Sequence, residues 1–248
     1  MKKKFTFMVA LATSVGVWAQ PQTQVTYATH GLTAGDIHQT YSVTYCEPLV
    51  EGANVVWDYS AATLNGGVFS EALANGTDDK NVVVTNPDGT LFTFNVTSTG
   101  NEYYGYAHGN YSVAYDQPML KTRFPQDYLD QFSGEFSGRI TFGNSTVFPV
   151  EGTYSTTVDA YGTIILPNGK VFNDVLRVKT TERYTEHYHG YNHEADMVKY
   201  LWYTSALRYP IFVTHIYNTQ SGNNTHVQKS SHVSAAALEY VAPQEKAA

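Results

Sequence analysis

The sequence predicts an all-β fold, an antiparallel β-sandwich or a curved half-barrel built from consecutive hairpins, and three observations carry that reading. Apolar and polar residues alternate at every second position in segment after segment. Asn, Gly, Pro and Asp cluster between those segments at hairpin spacing. Composition agrees, because 20 Tyr with only 15% charged residues suits pleated sheet better than solvated helix.

At the amino terminus, Lys2, Lys3 and Lys4 precede an apolar run from Phe5 to Trp18, the charged and hydrophobic regions of a secretory signal. Val17 and Ala19 are small residues in the positions signal peptidase reads, so residues 1–19 are expected to leave by cleavage after Ala19. The run is shorter than the roughly 20 residues that cross a bilayer core, so no transmembrane anchor is expected after cleavage. One antiparallel domain then fills residues 20–241, and 242–248 reads as a flexible tail.

Along the domain, Tyr41, Val43 and Tyr45 share a face opposite Thr40, Ser42 and Thr44, as in a half-buried strand. The stretch Ala61 to Asp79, with Gly66, Gly67 and Gly76, lacks strand character and reads as a loop. Phe92, Phe94 and Val96 alternate with Leu91, Thr93 and Asn95 after the Asn86-Pro87-Asp88-Gly89 turn. Glu135 to Phe142 is the clearest strand, with Phe136, Gly138, Ile140 and Phe142 on one face. Asp159 to Thr180 is the best hairpin, reversing at Pro167-Asn168-Gly169, with Leu176 and Val178 facing away from Arg177 and Lys179. Ala235 to Tyr240 reads as a last strand or a frayed end. Cys46, the only cysteine, forms no intrachain disulfide and reads as a small buried residue within a strand.

Three segments together carry a resemblance: Gly52 to Ser60 with its Trp57-Asp58 strand end, Val158 to Tyr184 with its Leu166-Pro167-Asn168-Gly169 hairpin, and the aromatic strand Tyr200 to Val213. In these the chain resembles a group of secreted Bacteroidota β proteins that commonly carry a carboxy-terminal type IX secretion sorting domain. The resemblance implies a β fold and an export route, and no reaction. No sorting domain follows Tyr240 here, which leaves the periplasm, the cell surface and the exterior as expected destinations.

Losing the three lysines of the leader takes the formal charge from −7 to −10, and no later stretch gathers basic residues densely, so nucleic acid is not an expected partner. Two constellations can carry binding chemistry. The first is Glu186 to Asp196. His187 and His189, two apart on a strand, point to one face about 6.6 Å apart, and a three-residue loop at Gly190, Tyr191 and Asn192 would set His193 opposite His189. Three neutral imidazoles in that arrangement can ligate Zn²⁺ or Cu²⁺, with Glu186, Glu194 or Asp196 orienting them by hydrogen bonds. A solvated hairpin tip is the plainer alternative. The second constellation is aromatic: Tyr103, Tyr104, Tyr106, Tyr111 and Tyr115 crowd one hairpin around His108-Gly109-Asn110, and Tyr200, Trp202 and Tyr203 crowd another strand. Tyr103, Tyr104, Tyr106 and Trp202 are the candidate ligand-binding rings, able to stack on sugars or peptide side chains; as cross-strand pairs they would instead hold the sheet together.

Enzyme signatures are missing. There is no Gly-x-Ser-x-Gly elbow, no His-Glu-x-x-His helix and no phosphate-cradling loop. The sequence therefore leans to an exported binding or interaction module for a glycan, a peptide or an envelope protein. A hydrolase whose carboxylates are assembled by the fold, drawn from Asp58, Asp78, Asp79, Glu182 and Glu194, is the alternative, and a metal-binding protein is another.

Overall fold

The alternation is realised in a computed structural model that describes residues 23–143 and 146–241. The expected signal peptide, residues 1–19, and the tail, 242–248, lie outside the described residues. A short helix α1 (Tyr27–His30) precedes strands β1 (Ile37–Val43), β2 (Gly52–Asp58), β3 (Leu64–Thr77), β4 (Lys80–Thr85), β5 (Leu91–Thr97) and β6 (Gly100–His108). Then follow β7 (Tyr111–Arg123), β8 (Gln131–Phe142), β9 (Thr146–Ile165), β10 (Val171–Tyr188), β11 (Tyr191–Tyr203), β12 (Phe212–Ser221), β13 (Asn224–Ser234) and a second short helix, α2 (Ala235–Glu239).

Strands β3 to β13 each pair with their chain neighbours in antiparallel hairpins, as the turns predict. Strand β1 then lies between β13 and β3, with Tyr41 opposite both Val233 and Val68. The sheet is thereby a closed 12-stranded antiparallel barrel with β2 as an extra strand. This corrects both the sandwich and the half-barrel: pairing the first strand with the last removes the two free edges that either would leave. Strand β2 runs parallel to the second half of β9, with Trp57 opposite Ile164, so one pairing departs from the antiparallel rule.

Three local expectations change. The stretch read as a loop contains β3, whose small and polar outward positions hide its strand character; only Leu73 in it is buried. The Ala-rich segment read as a strand or frayed end is α2, nucleated by Ser234, whose hydroxyl accepts from the Ala237 N–H at 3.4 Å. Cys46 lies beyond the end of β1, half-buried rather than inside a strand.

The barrel has two cores. Inside, Val158, Leu176 and Val178 pack with Val25 and Phe124 at one end. Leu73, Val82, Val84 and Val96 line one wall of the lumen, and Tyr103, Met119 and Phe136 fill its middle. Outside that same end, Trp57, Ala160, Trp202, Phe212, Val233 and Ala237 form a second core. The faces follow from the ladder: Val233, Phe212, Trp202 and Arg177 stand in one cross-strand row, and the alternate row on β10 carries Val178, Glu182 and Tyr184 into the lumen. The segment before β1 closes that end, bridging Val25 to Gln126 and setting the His30 ring against the Thr204 carbonyl.

Arg177 joins the layers. Its Nε and Nη2 donate to the two Asp159 oxygens at 2.8 and 3.0 Å, Nη1 donates to the Pro48 carbonyl, and the guanidinium lies over Trp57, Tyr200 and Trp202. It is 1% exposed, where alternation alone predicted a face turned away from the core.

Candidate functional site

At the opposite end of the barrel, its mouth, the β10–β11 hairpin supplies five of the eight described residues that line a cavity. His189 and Gly190 form a two-residue turn, with Gly190 in the left-handed region at φ +87°. That register sets Tyr188 opposite Tyr191, His187 opposite Asn192 and Glu186 opposite His193. Tyr188, Glu186, Tyr191 and His193 consequently share the lumen side, while His187, Asn192 and Glu194 stand outside.

A cavity of about 510 Å³ occupies this mouth, lined by Phe142, Phe148, Glu186, Tyr188, His189, Tyr191, His193 and Ser221. Phe142 ends β8 and Phe148 begins β9, so the rings come from two adjacent hairpins. The Tyr188 ring stacks on Tyr191 at 5.2 Å and meets Phe148 edge-on at 4.9 Å. Glu186 forms the floor and is 8% exposed. Its Oε2 accepts from the Tyr188 hydroxyl at 2.8 Å and pairs with His193 Nδ1 at 2.9 Å. Burial, followed by the hydrogen bond to Glu186, pushes the Tyr188 phenol well above its usual range, so the hydroxyl stays a donor. Beneath it the Tyr184 and Tyr217 hydroxyls meet at 2.8 Å, both phenols raised chiefly by burial.

Deeper in the lumen, Lys121 reaches Glu182 across two intervening strands at 2.5 Å. Burial lowers the lysine, and the Lys121 and Lys199 charges outweigh the opposing effect of burial on Glu182, whose carboxyl falls below its ordinary value. His215 and His232 are lowered by the same burial, His215 to about 4.

Of the proposed metal triad His187, His189 and His193, only His193 meets one of the expected orienting carboxylates, Glu186. A two-residue turn replaces the expected three-residue loop, and this one change separates the histidines: His187 reaches Glu151 at 3.4 Å on the outer face, His189 packs its ring on Phe148 in the turn, and His193 faces the lumen. The candidate binding rings also divide. Tyr103 and Tyr106 pack inside against Phe92, Trp202 is fully buried in the outer core, and Tyr104 faces outward beside Lys80. Cross-strand and core packing accounts for all but Tyr104.

The five carboxylates of the hydrolase alternative are dispersed. Asp58 ends β2 in solvent, its carboxyl held low by the Ser60 hydroxyl and N–H. Asp78 and Asp79 make the β3–β4 turn, Glu182 is inside and Glu194 outside. An outer groove of about 760 Å³ does gather Glu135, Glu151, Glu194 and Asp196, with Arg183 held by Asp196 at 2.8 Å. It is wide and polar, without an exposed ring platform.

Sequence reasoning missed Phe142 and Phe148 as parts of a site, and placed Glu186 and Tyr188 only beside the histidines. The signal existed in the apolar face shared by Ile140 and Phe142, but what it meets depends on the strand that lies next to it.

No protein-family model matches the chain, and comparison with curated proteins and with solved structures brings out no similar one.

Proposed function

We propose that the mature chain is an exported binding module of the bacterial envelope or exterior, and that the aromatic mouth of the barrel is its ligand seat. One observation carries this reading: four aromatic rings surround a buried carboxylate in a cavity of about 510 Å³. Small-ligand sites have that size and that mixture of apolar wall and few polar groups, and barrel mouths are frequent hosts. Tyr191, 53% exposed, and Phe142, 40% exposed, offer ring faces to a ligand arriving from solvent. The end of a glycan or a peptide side chain is of suitable size.

At the mouth, binding fits better than hydrolysis. A glycosidase flanks its bond with two carboxylates, whereas Glu186 is the only carboxylate among the described residues lining the mouth. The outer surface supports an aqueous setting. Glu135, Arg139, Glu151, Arg183 and Glu194 occupy outward positions, where a membrane-spanning barrel presents an apolar band to lipid. Export itself rests on the amino-terminal leader and on the resemblance to secreted proteins.

The test is a nuclear magnetic resonance titration of the processed protein with a panel of short glycans and peptides. Amides of 142, 148, 188 and 191 should shift with at least one ligand, and Tyr191→Ala should weaken that ligand severalfold. A ligand whose shifts map instead to the outer groove, unmoved by Tyr191→Ala, would show that the seat lies elsewhere.

A further inference from the structure

Glu186 is buried yet only half used. Both of its hydrogen bonds fall on Oε2, from Tyr188 and His193, and Oε1 has no partner among the described residues. Oε1 is not among the unpartnered polar atoms sealed from solvent, so it keeps contact with the space of the mouth, where an arriving donor or positive charge can meet it. The surrounding rings of Phe148, Tyr188 and Tyr191 add the negative potential of their faces. Ser221, His189 and the Tyr191 hydroxyl also line the mouth, but Glu186 is its only carboxylate among the described residues, and a neutral sugar brings no charge to meet it. A positively charged N–H donor on an apolar stem satisfies all of these features at once.

We propose that the mouth binds an organic ammonium group, of the kind a lysine side chain or a free alkylamine carries. Its N–H bonds meet Glu186 Oε1, and its methylene stem lies against Tyr188, Tyr191 and Phe148. The assignment rests on the mouth being the ligand seat and names the chemistry that seat selects.

The test pairs a charged probe with a neutral one. Calorimetry and amide shifts are measured with N-acetyl-lysine methylamide, with its side-chain-acetylated analogue, with butylamine and with a neutral methyl glycoside. The two ammonium probes should bind at the mouth at least tenfold more tightly than the acetylated analogue. Glu186→Gln should remove most of that preference, and Tyr191→Ala, at an exposed position, should weaken both ammonium probes severalfold. Binding of the lysine probe but not butylamine would assign the source to a peptide; equal binding would assign a free amine. Equal affinity for the charged and acetylated probes, an unchanged preference in Glu186→Gln, or undiminished ammonium binding in Tyr191→Ala overturns the ammonium assignment. If the methyl glycoside alone shifts the mouth amides, the seat stands and the ammonium falls; if no probe shifts them, both fall.

Discussion

The two ends of the barrel use the same strands for opposite purposes. At the closed end, β10 and β11 are covered on both sides: Leu176 and Val178 lie under the amino-terminal segment, and Arg177 and Trp202 lie under β2 and α2. Eight to ten residues farther along, the same strands present His187 and Glu194 to solvent on one side and line an aromatic cavity on the other. Burial on two faces concentrates stabilising free energy, roughly 25 cal/mol per Å² of apolar surface. The mouth is covered on one side only, by an inner cluster of Val113, Ile140 and Val150 against which Phe148 and Tyr188 pack, and it leaves the Tyr191 and Phe142 rings partly exposed for a ligand. The comparison teaches that stability and recognition are separated along single strands, so substitutions at the two ends should fail in different assays.

The largest expected effect tests the closed end. Arg177→Met leaves the buried Asp159 carboxylate without its bidentate partner, and breaking such a pair typically costs about 3–5 kcal/mol. Urea unfolding should show that loss as a lower midpoint with an unchanged slope. Adding Asp159→Leu should recover much of it, because an unpaired buried charge is the dominant penalty. A loss below about 1 kcal/mol, the level of a surface ion pair, would mean that the closed end is not the stabilised region.

Acid should reach the lumen before it reaches either set of ring contacts. His215 is held near 4 by burial first and by Lys199 second, and burial also lowers His232 and His30. A histidine in the unfolded chain titrates near 6.5, so between about 6.5 and 4 the unfolded state binds more protons than the fold. Their contribution is fully present above 6.5 and drains away as the pH falls through that window. The melting temperature should decline steadily from pH 7 to pH 4.5, and His215→Asn should flatten the decline. A profile of unchanged steepness in that variant would remove the lumen histidine from the account.

Apart from β3 and the α2 segment, the strands cited from the sequence, their turns and the Leu176/Val178 face were legible because a period of two depends only on local chemistry. Closure was not, since it requires β1 to find β13 from the far end of the chain, and no local feature records such a partner. For the same reason Tyr41 and Val43 reveal a buried face without revealing that it lies outside the barrel. The candidate site was half legible. Glu186, His189 and His193 stood out by composition, but a turn shorter by one residue redirected His187 and exchanged a metal triad for a carboxylate among rings. Phe142 and Phe148 become site residues only once β8, β9 and β10 lie side by side.

Two small effects sharpen the contrast. Ser234→Ala removes the hydroxyl that caps α2 and should cost about 1 kcal/mol, read as a shift in the urea midpoint, because α2 contributes Ala237 to the outer core. Tyr191→Ala should cost less, within about 0.5 kcal/mol. Tyr191 is half exposed, its hydroxyl has no hydrogen bond among the described residues, and its ring rests on Tyr188 at a turn whose geometry is set by Gly190. Losing the ring removes one stacking partner and uncovers Tyr188 to water that already reaches the cavity. The melting curve should therefore barely move while ligand binding weakens severalfold. A fall in stability comparable to that of Ser234→Ala would make Tyr191 a packing residue, and the mouth would then be part of the fold's support instead of a surface kept free for recognition.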